Sequence, residues 1–290
     1  MDRLMRRLAW TATVVSAVAV LLIVGFLLYS ALPLFASGEF FSLMVGRWRT
    51  SVEPAQYGIG PMIVGSLCLS AMAVVVAFPV GIAVCAFAHG LAPRPLGRLV
   101  LGVVHFMTSI PTVIYGFVSV FLLVPLVRGV FGGSGLSLLA AGIALAVLIL
   151  PTIVLLLHVR LQQTDPTVRL TCAALGMTAT QTHVRVLLPL SREGLVAAAV
   201  LGFCRAVGDT LIALMVAGNA TQYPTSLLDS VRTLTSHIAL VLATDTHSAE
   251  YRSVFAAGLL LFCLTAVLSI AVRRLCHVKS TSVSHAEIVR

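Results

Sequence analysis

From Leu8 to Gly38 the chain runs without one charged side chain, and so do residues 61–88, 99–127, 135–157 and 253–272. Crossing the hydrocarbon core of a bilayer takes about 20 apolar residues of α-helix, and each run is long enough to do it. A sixth run, residues 194–218, is interrupted only by Arg205 and Asp209. The expected fold class is therefore all-α: a polytopic membrane protein with six transmembrane helices. Composition agrees, since 10% of residues are charged where a soluble domain averages about 25%.

The first run follows Arg3, Arg6 and Arg7 and ends near the small residues Ala36 and Ser37, which are features of a signal peptide. Its apolar stretch is far longer than the roughly 7–15 residues of such a peptide, so it reads as a retained helix. Basic residues then orient the chain. With the N-terminus in the cytoplasm, Arg3, Arg6, Arg7, Arg94, Arg98, Arg160, Arg169, Arg185, Arg192, Arg273, Arg274, Lys279 and Arg290 lie inside. Only Arg47, Arg49, Arg128, Arg232 and Arg252 lie outside, an asymmetry of the kind that sets topology. Both termini are expected to be cytoplasmic, in a bacterial cell (inner) membrane. The net charge of +9 is thereby accounted for by topology, without nucleic acid.

The six cysteines are scattered, with no CxxC, and the eight histidines show no HExxH or paired metal spacing. Cysteines of this kind read as small buried hydrophobes, and no metal site is expected. In the segment 219–252, Leu227, Val231, Leu234, Ile238 and Leu242 recur at helical spacing between polar residues. An amphipathic helix at the outer face, or one re-entering the bilayer, is the expectation there. Trp48 and Tyr57 in the outer loop 39–60 read as interfacial anchors.

The longest inner loop is TDPTVRLTCAALGMTATQTHVRVLLPLSREG, residues 164–194. Asp165 before Pro166 is a helix start, Gly176 can end that helix in the left-handed conformation, and Thr178 with Gln181 is a capping-box pair for a second. The expected shape is a knob of helix, glycine turn and helix. Gly176 followed twelve residues later by Leu188 and Pro189 resembles the EAA loop of the membrane subunits of bacterial ABC importers. That resemblance implies a type I ABC importer permease whose loop docks on an ATPase subunit, with Arg169, Gly176, Arg185, Leu188 and Pro189 as candidate coupling residues. Leu170, Thr171 and Cys172 stand where the family commonly has Glu-Ala-Ala. The chain has no GxxxxGK[ST] and its single lysine is in the tail, so a P-loop of its own is absent.

YGIGPMIVGSL (57–67), SIPTVIYGF (109–117), CRAVGDT (204–210) with LMVAGN (214–219), RTLTSHIALVLA (232–243) and AEYRSVFAAGLLLF (249–262) together resemble the phosphate permeases of the Pst importer. The opening stretch and LMVAGN are closer to the PstC type than to the PstA type, and Asp209 replaces the usual Glu. The resemblance implies a PstA-like sister permease, an ATP-binding cassette ATPase dimer and a periplasmic or lipid-anchored phosphate-binding protein as partners. It implies no cofactor bound by this chain, ATP and Mg being used by the ATPase. Residues 1–56 then form the first transmembrane helix and outer loop, 57–278 the core permease domain with coupling loop 164–190, and 279–290 a polar cytoplasmic tail.

A charge at the bilayer centre costs about 2.5–3.5 kcal/mol on insertion scales, so Arg205 and Asp209 need a reason. At i, i+4 on one helix they would share a face and neutralise each other, locking helix packing. Alternatively the guanidinium fork binds phosphate oxygens. A second candidate stretch is MTSIPTVIYG, residues 107–116, where Pro111 frees an i−4 carbonyl and Thr108, Ser109, Thr112 and Tyr115 supply hydroxyls. These line the path or satisfy the kinked backbone. The rival functions are a permease for sulfate, molybdate or another small solute, and a phosphate-sensing scaffold. A membrane enzyme is disfavoured because no nucleophile–base constellation is visible.

Overall fold

A computed structural model describes residues 2–36, 38–49, 56–163, 166–242 and 249–277. Asp165 and the tail 279–290 lie outside those residues, as does part of the expected outer helix. The long helices are α1 (Asp2–Ala36), α3 (Gly60–Ala86), α4 (Arg94–Ser109), α7 (Leu138–Gln162), α11 (Arg192–Gly208) and α14 (Ala249–His277), and the short α2 (Glu39–Val45) follows α1. Among the described residues five helices are long and apolar enough to cross a membrane, or six if a bent pair, residues 179–190 with 192–208, is counted as one span.

Helix α7 is the axis of the bundle, buried against α3 on one side and α11 on another. Without a hydrophobic drive between helices in lipid, close approach depends on small residues at the contacts. Ile153 shows how this works. A methyl group at Gly81 of α3 would lie 2.8 Å from Ile153 Cγ2, and one at Gly202 of α11 would lie 3.0 Å from Ile153 Cδ1. Both neighbouring backbones therefore close on a single isoleucine. Helix α14 packs on α11, and α1 packs on α14, where Phe26 meets Phe255 edge-on at 6.0 Å.

Two expected spans are broken. The run 99–127 is not one helix: α4 stops at Ser109, Pro111 is extended, and the chain resumes as α5 (Thr112–Val118), a π turn (Ser119–Leu123) and α6 (Val124–Phe131). Pro111 disfavours helical geometry at the residue before it, and Ile110 is indeed extended. The fifth run also breaks: α11 ends at Gly208, Asp209 is extended at φ −76°, ψ 128°, and α12 (Leu211–Val216) begins anew. One continuous helix carrying both charges on one face is thus overturned.

The outer segment differs as well. Residues 219–233 are not helical, and α13 (Leu234–Val241) is a short, mostly buried helix, not a surface amphipathic one. Its start is fixed by Thr233, whose side chain forms a capping box with Ser236, and by Ser66 of α3, whose hydroxyl accepts from Leu234 N at 2.8 Å. The polar residues before it build turns: the Asp229 carboxylate accepts from Thr225 N, Thr225 Oγ1 and Ser226 N at 2.7–2.8 Å. In the outer loop, strands β1 (Trp48–Arg49) and β2 (Gln56–Tyr57) pair antiparallel. Trp48 packs at 5.3 Å from Tyr57 and 4.9 Å from the buried His237, so both aromatics pack this loop against α13.

The inner loop has its expected shape. Helix α8 (Pro166–Ala174) ends in a Schellman turn, with Gly176 at φ +72°, Gly176 N donating to Ala173 O and Met177 N to Cys172 O, both at 3.0 Å. Thr178 and Gln181 form a complete capping box. The second arm is α9 (Ala179–Gln181), a π turn (Thr182–Leu187) and α10 (Leu188–Leu190), and it meets α11 at 73°.

Candidate functional site

The break at Asp209 decides what the two charges do. Once the helix ends at Gly208, Asp209 caps the first turn of α12 from the position before its N-cap residue Thr210: its Oδ2 accepts from Ile212 N at 2.9 Å. Its backbone is tied in turn, with Thr235 Oγ1 of α13 donating to Asp209 O at 2.9 Å. Arg205 stays on α11, three residues before the end, and is exposed in this subunit despite lying within an apolar span. It acts electrostatically on both Asp209 and Tyr115, without the hydrogen-bonded pair that i, i+4 spacing suggested. An exposed guanidinium, with five donors and no acceptor, thus lies within an apolar span.

The two broken spans come together. Helices α5 and α12 pack on each other, and a methyl group at Gly116 would lie 2.8 Å from Met215 Sδ. Tyr115 lies at this junction, and its hydroxyl donates to Met107 O at 2.9 Å. Met107 is i−4 to Pro111, so this is the carbonyl that the missing proline N–H leaves open; Ile110 N also reaches it, at 3.3 Å. Ser119 Oγ donates to Tyr115 O at 2.7 Å and Thr108 Oγ1 to His105 O at 2.7 Å. The hydroxyl hydrogens of Tyr115 and Thr108 are thus committed to backbone, while Ser109 is exposed and Thr112 half-buried. Of the candidate residues, Arg205, Asp209 and Tyr115 are gathered at one place in the bundle; Thr108 and Ser109 lie on the α4 side of the Pro111 break.

On the knob, Arg169 Nη2 donates to Leu161 O at 2.8 Å, which closes the C-terminal turn of α7 and ties α8 to it. Leu187 is fully buried in the main core, Leu188 is half-buried, and Arg185, Pro189 and Gly176 are exposed. Leu170 and Leu175 are 70% and 74% exposed. Both are large apolar side chains held out from a mostly polar loop. Sequence pattern marks neither as a contact residue, and it misses a meeting of His89, His158 and His183 beneath the knob. Their sequence separation hid it. Among the described residues, no group of three or more His, Cys, Asp or Glu is disposed to hold a metal ion.

Residues 77–276 match the family model described as "Binding-protein-dependent transport system inner membrane component". The chain is 34% identical over 231 residues to "Probable ABC transporter permease protein YqgH" of Bacillus subtilis, covering 79% of this chain and 75% of that one. It is 29% identical to "Phosphate transport system permease protein PstC" of Mesorhizobium japonicum, covering 91% and 89%, and 29% identical to "Phosphate transport system permease protein PstC 2" of Mycobacterium tuberculosis, covering 94% and 90%. Among solved structures, an inward-facing MetNI methionine ABC transporter superposes with a TM-score of 0.57 at 21% identity, covering 73% of this chain and 91% of that one. A bacterial alginate ABC transporter, solved in complex with an alginate-bound periplasmic protein, gives 0.56 at 13% identity, covering 91% and 94%. These two likenesses concern the fold.

Proposed function

The chain belongs to the binding-protein-dependent transport system inner membrane components, as a multi-pass permease subunit of an ABC importer, and from that membership we propose that it forms half of a path for inorganic phosphate. The observation that carries the substrate is Arg205: an exposed, permanently charged guanidinium inside an apolar span, beside a carboxylate already engaged as a helix cap. A guanidinium fork matches two oxygens of a tetrahedral oxyanion. The neighbouring carboxylate supplies selectivity. Hydrogen phosphate carries an O–H that can donate to Asp209, whereas sulfate at neutral pH has none and would meet carboxylate repulsion. The relatives named PstC support the same substrate.

The energy comes from a partner. In this reading an ATPase dimer takes the knob, residues 166–190, in a groove, with Leu170 and Leu175 as apolar contacts and Arg185 as a charged one. Closure of the ATPase then moves α11, whose stretch from Arg192 to Arg205 is about 20 Å of helix at 1.5 Å per residue. The 73° bend at Ser191 makes α11 a lever and not an extension of the knob. A PstA-like sister permease completes the path opposite Arg205, a phosphate-binding protein delivers substrate at the outer cap, and the knob side is the cytoplasm of a bacterial inner membrane. The test is uptake of labelled phosphate by the reconstituted complex, in competition with sulfate, molybdate and arsenate. Inhibition by arsenate alone supports the reading; equal inhibition by sulfate overturns it.

A further inference from the structure

Three histidines from three elements meet where the knob joins the bundle. His89 lies in the π turn Phe87–Leu91 that follows α3, His158 near the end of α7, and His183 in the π turn of the knob. The His89 and His158 rings are centred 4.7 Å apart, and those of His89 and His183 5.9 Å apart. Alongside them Thr180 Oγ1 donates to Gly90 O at 3.1 Å, and a methyl group at Gly90 would lie 3.2 Å from His183 Cβ. The knob is seated directly on the turn that carries His89.

The bonds among these rings permit one arrangement of protons. The carbonyl of Cys85 can only accept, so His89 Nδ1, 3.1 Å away, carries a hydrogen. The neutral ring then has Nε2 as its acceptor, and His158 Nδ1 donates to it at 2.8 Å. That leaves His158 Nε2 to accept from the Gln162 side-chain amide at 3.1 Å. His183 is fixed in the same way: Nδ1 donates to Ala179 O at 3.0 Å, and Nε2 is buried with no hydrogen-bond partner among the described residues. The charged or titratable groups acting on the rings from neighbouring elements are Arg169 of α8, on His89 and His183, and His105 of α4, on His158. Among the described residues no carboxylate acts on any of the three.

Extra protons have nowhere to go while the rings are packed. A proton on His89 turns its Nε2 into a donor aimed at the donor Nδ1 of His158. A proton on His183 leaves a buried N–H without an acceptor, close to Arg169. Only His158 can take one, if Gln162 turns its oxygen toward the ring. The packed cluster therefore holds at most one added proton, and none on His183, whereas lifting the knob off the bundle hydrates His183 and lets it take one near the ordinary imidazole pKa of about 6.5, while His89 and His158 stay hydrogen-bonded on the bundle. We propose that His89, His158 and His183 form a proton-operated latch, which holds the knob on the bundle at neutral pH and releases it as the knob side acidifies. This rests on the reading of residues 166–190 as the coupling knob. An uptake of about one proton on release, at His183, sets the response at up to about tenfold per pH unit.

Hydrogen–deuterium exchange of residues 177–188 in the complete complex in nanodiscs reads the latch, with rates scaled to intrinsic exchange at about pH 7.5 and about pH 5.5. The wild type is expected to lose protection by about tenfold at the lower pH. His183→Gln, which keeps bulk without a titrating ring, should reduce the response severalfold, and the double variant His89→Gln/His183→Gln should abolish it. Equal wild-type protection at both pH values, or an undiminished response in His183→Gln, overturns the proposal; if the double variant does not assemble, the single variant decides. Phosphate uptake measured on the same complexes at neutral pH separates the two readings, because a pH-dependent knob in a complex that does not carry phosphate counts against the substrate and leaves the latch supported.

Discussion

Replacing Asp209 by Asn and by Ala separates its two roles. In the structure the carboxylate caps α12 through Ile212 N at 2.9 Å and lies near Arg205 without pairing to it. Asn is as good a helix cap as Asp, so Asp209→Asn removes the charge and keeps the cap. Asp209→Ala removes both and leaves the Ile212 N–H open inside the bundle. An unmet buried donor costs about 1–3 kcal/mol, and a lost cap typically about 1 kcal/mol, so the difference between the variants should be about 1–2 kcal/mol. At about 2–4 °C per kcal/mol for a chain of this size class, Asp209→Ala should melt roughly 2–8 °C below Asp209→Asn. Thermal unfolding of the purified complex, followed by the burial of its free thiols, provides the comparison. Equal melting of the two variants, both well below wild type, would mean that the charge and not the cap is what stabilises this break, and the account of the helix end would fail.

Glycine contacts make a matched pair. A methyl group at Gly65 would lie 2.5 Å from the Arg232 carbonyl oxygen, whereas one at Gly102 has nothing within 4 Å; Gly65→Ala should destabilise by about 1–3 kcal/mol or more, and Gly102→Ala should not, both read by thermal unfolding. Tyr115→Phe withdraws the donor from Met107 O and should cost about 0.6–1.7 kcal/mol while phosphate uptake persists, because the hydroxyl serves the backbone. Asp229 is a pH-sensitive group of the segment 219–233: the Thr225 N–H, then its hydroxyl, then the Ser226 N–H hold its carboxyl below the usual range. A lowered folded pKa contributes order that is present above the unfolded value of about 3.9 and lost as pH falls through the folded one. Protease resistance of residues 220–232 should therefore persist at pH about 4 and fall only below it, and Asp229→Asn should lower resistance at neutral pH.

The spans were legible because lipid demands long uncharged runs, and the knob was legible because its signals are local: Gly176 for the left-handed turn, Thr178 and Gln181 three apart for the cap. The breaks were harder to see. Arg205 and Asp209 have the same spacing whether or not the helix continues, so periodicity could not distinguish the cases. The available clue was Gly208 directly before Asp209, a helix-ending residue followed by a helix-capping one. In the outer segment, apolar residues at helical spacing were outweighed by Thr225, Ser226 and Asp229, which bond locally in a turn. The three histidines carried no signal at all, since His89 and His158 are 69 positions apart and only the packing of α3, α7 and the knob brings them together.

Arg205 offers the most direct test of the transport account. Labelled phosphate uptake by complexes carrying Arg205→Lys and Arg205→Gln, each checked for assembly with the ATPase, should fall by at least about tenfold for Gln, with Lys partly active because charge remains while the fork is lost. Undiminished uptake in both assembled variants would remove Arg205 from the path and contradict the central claim.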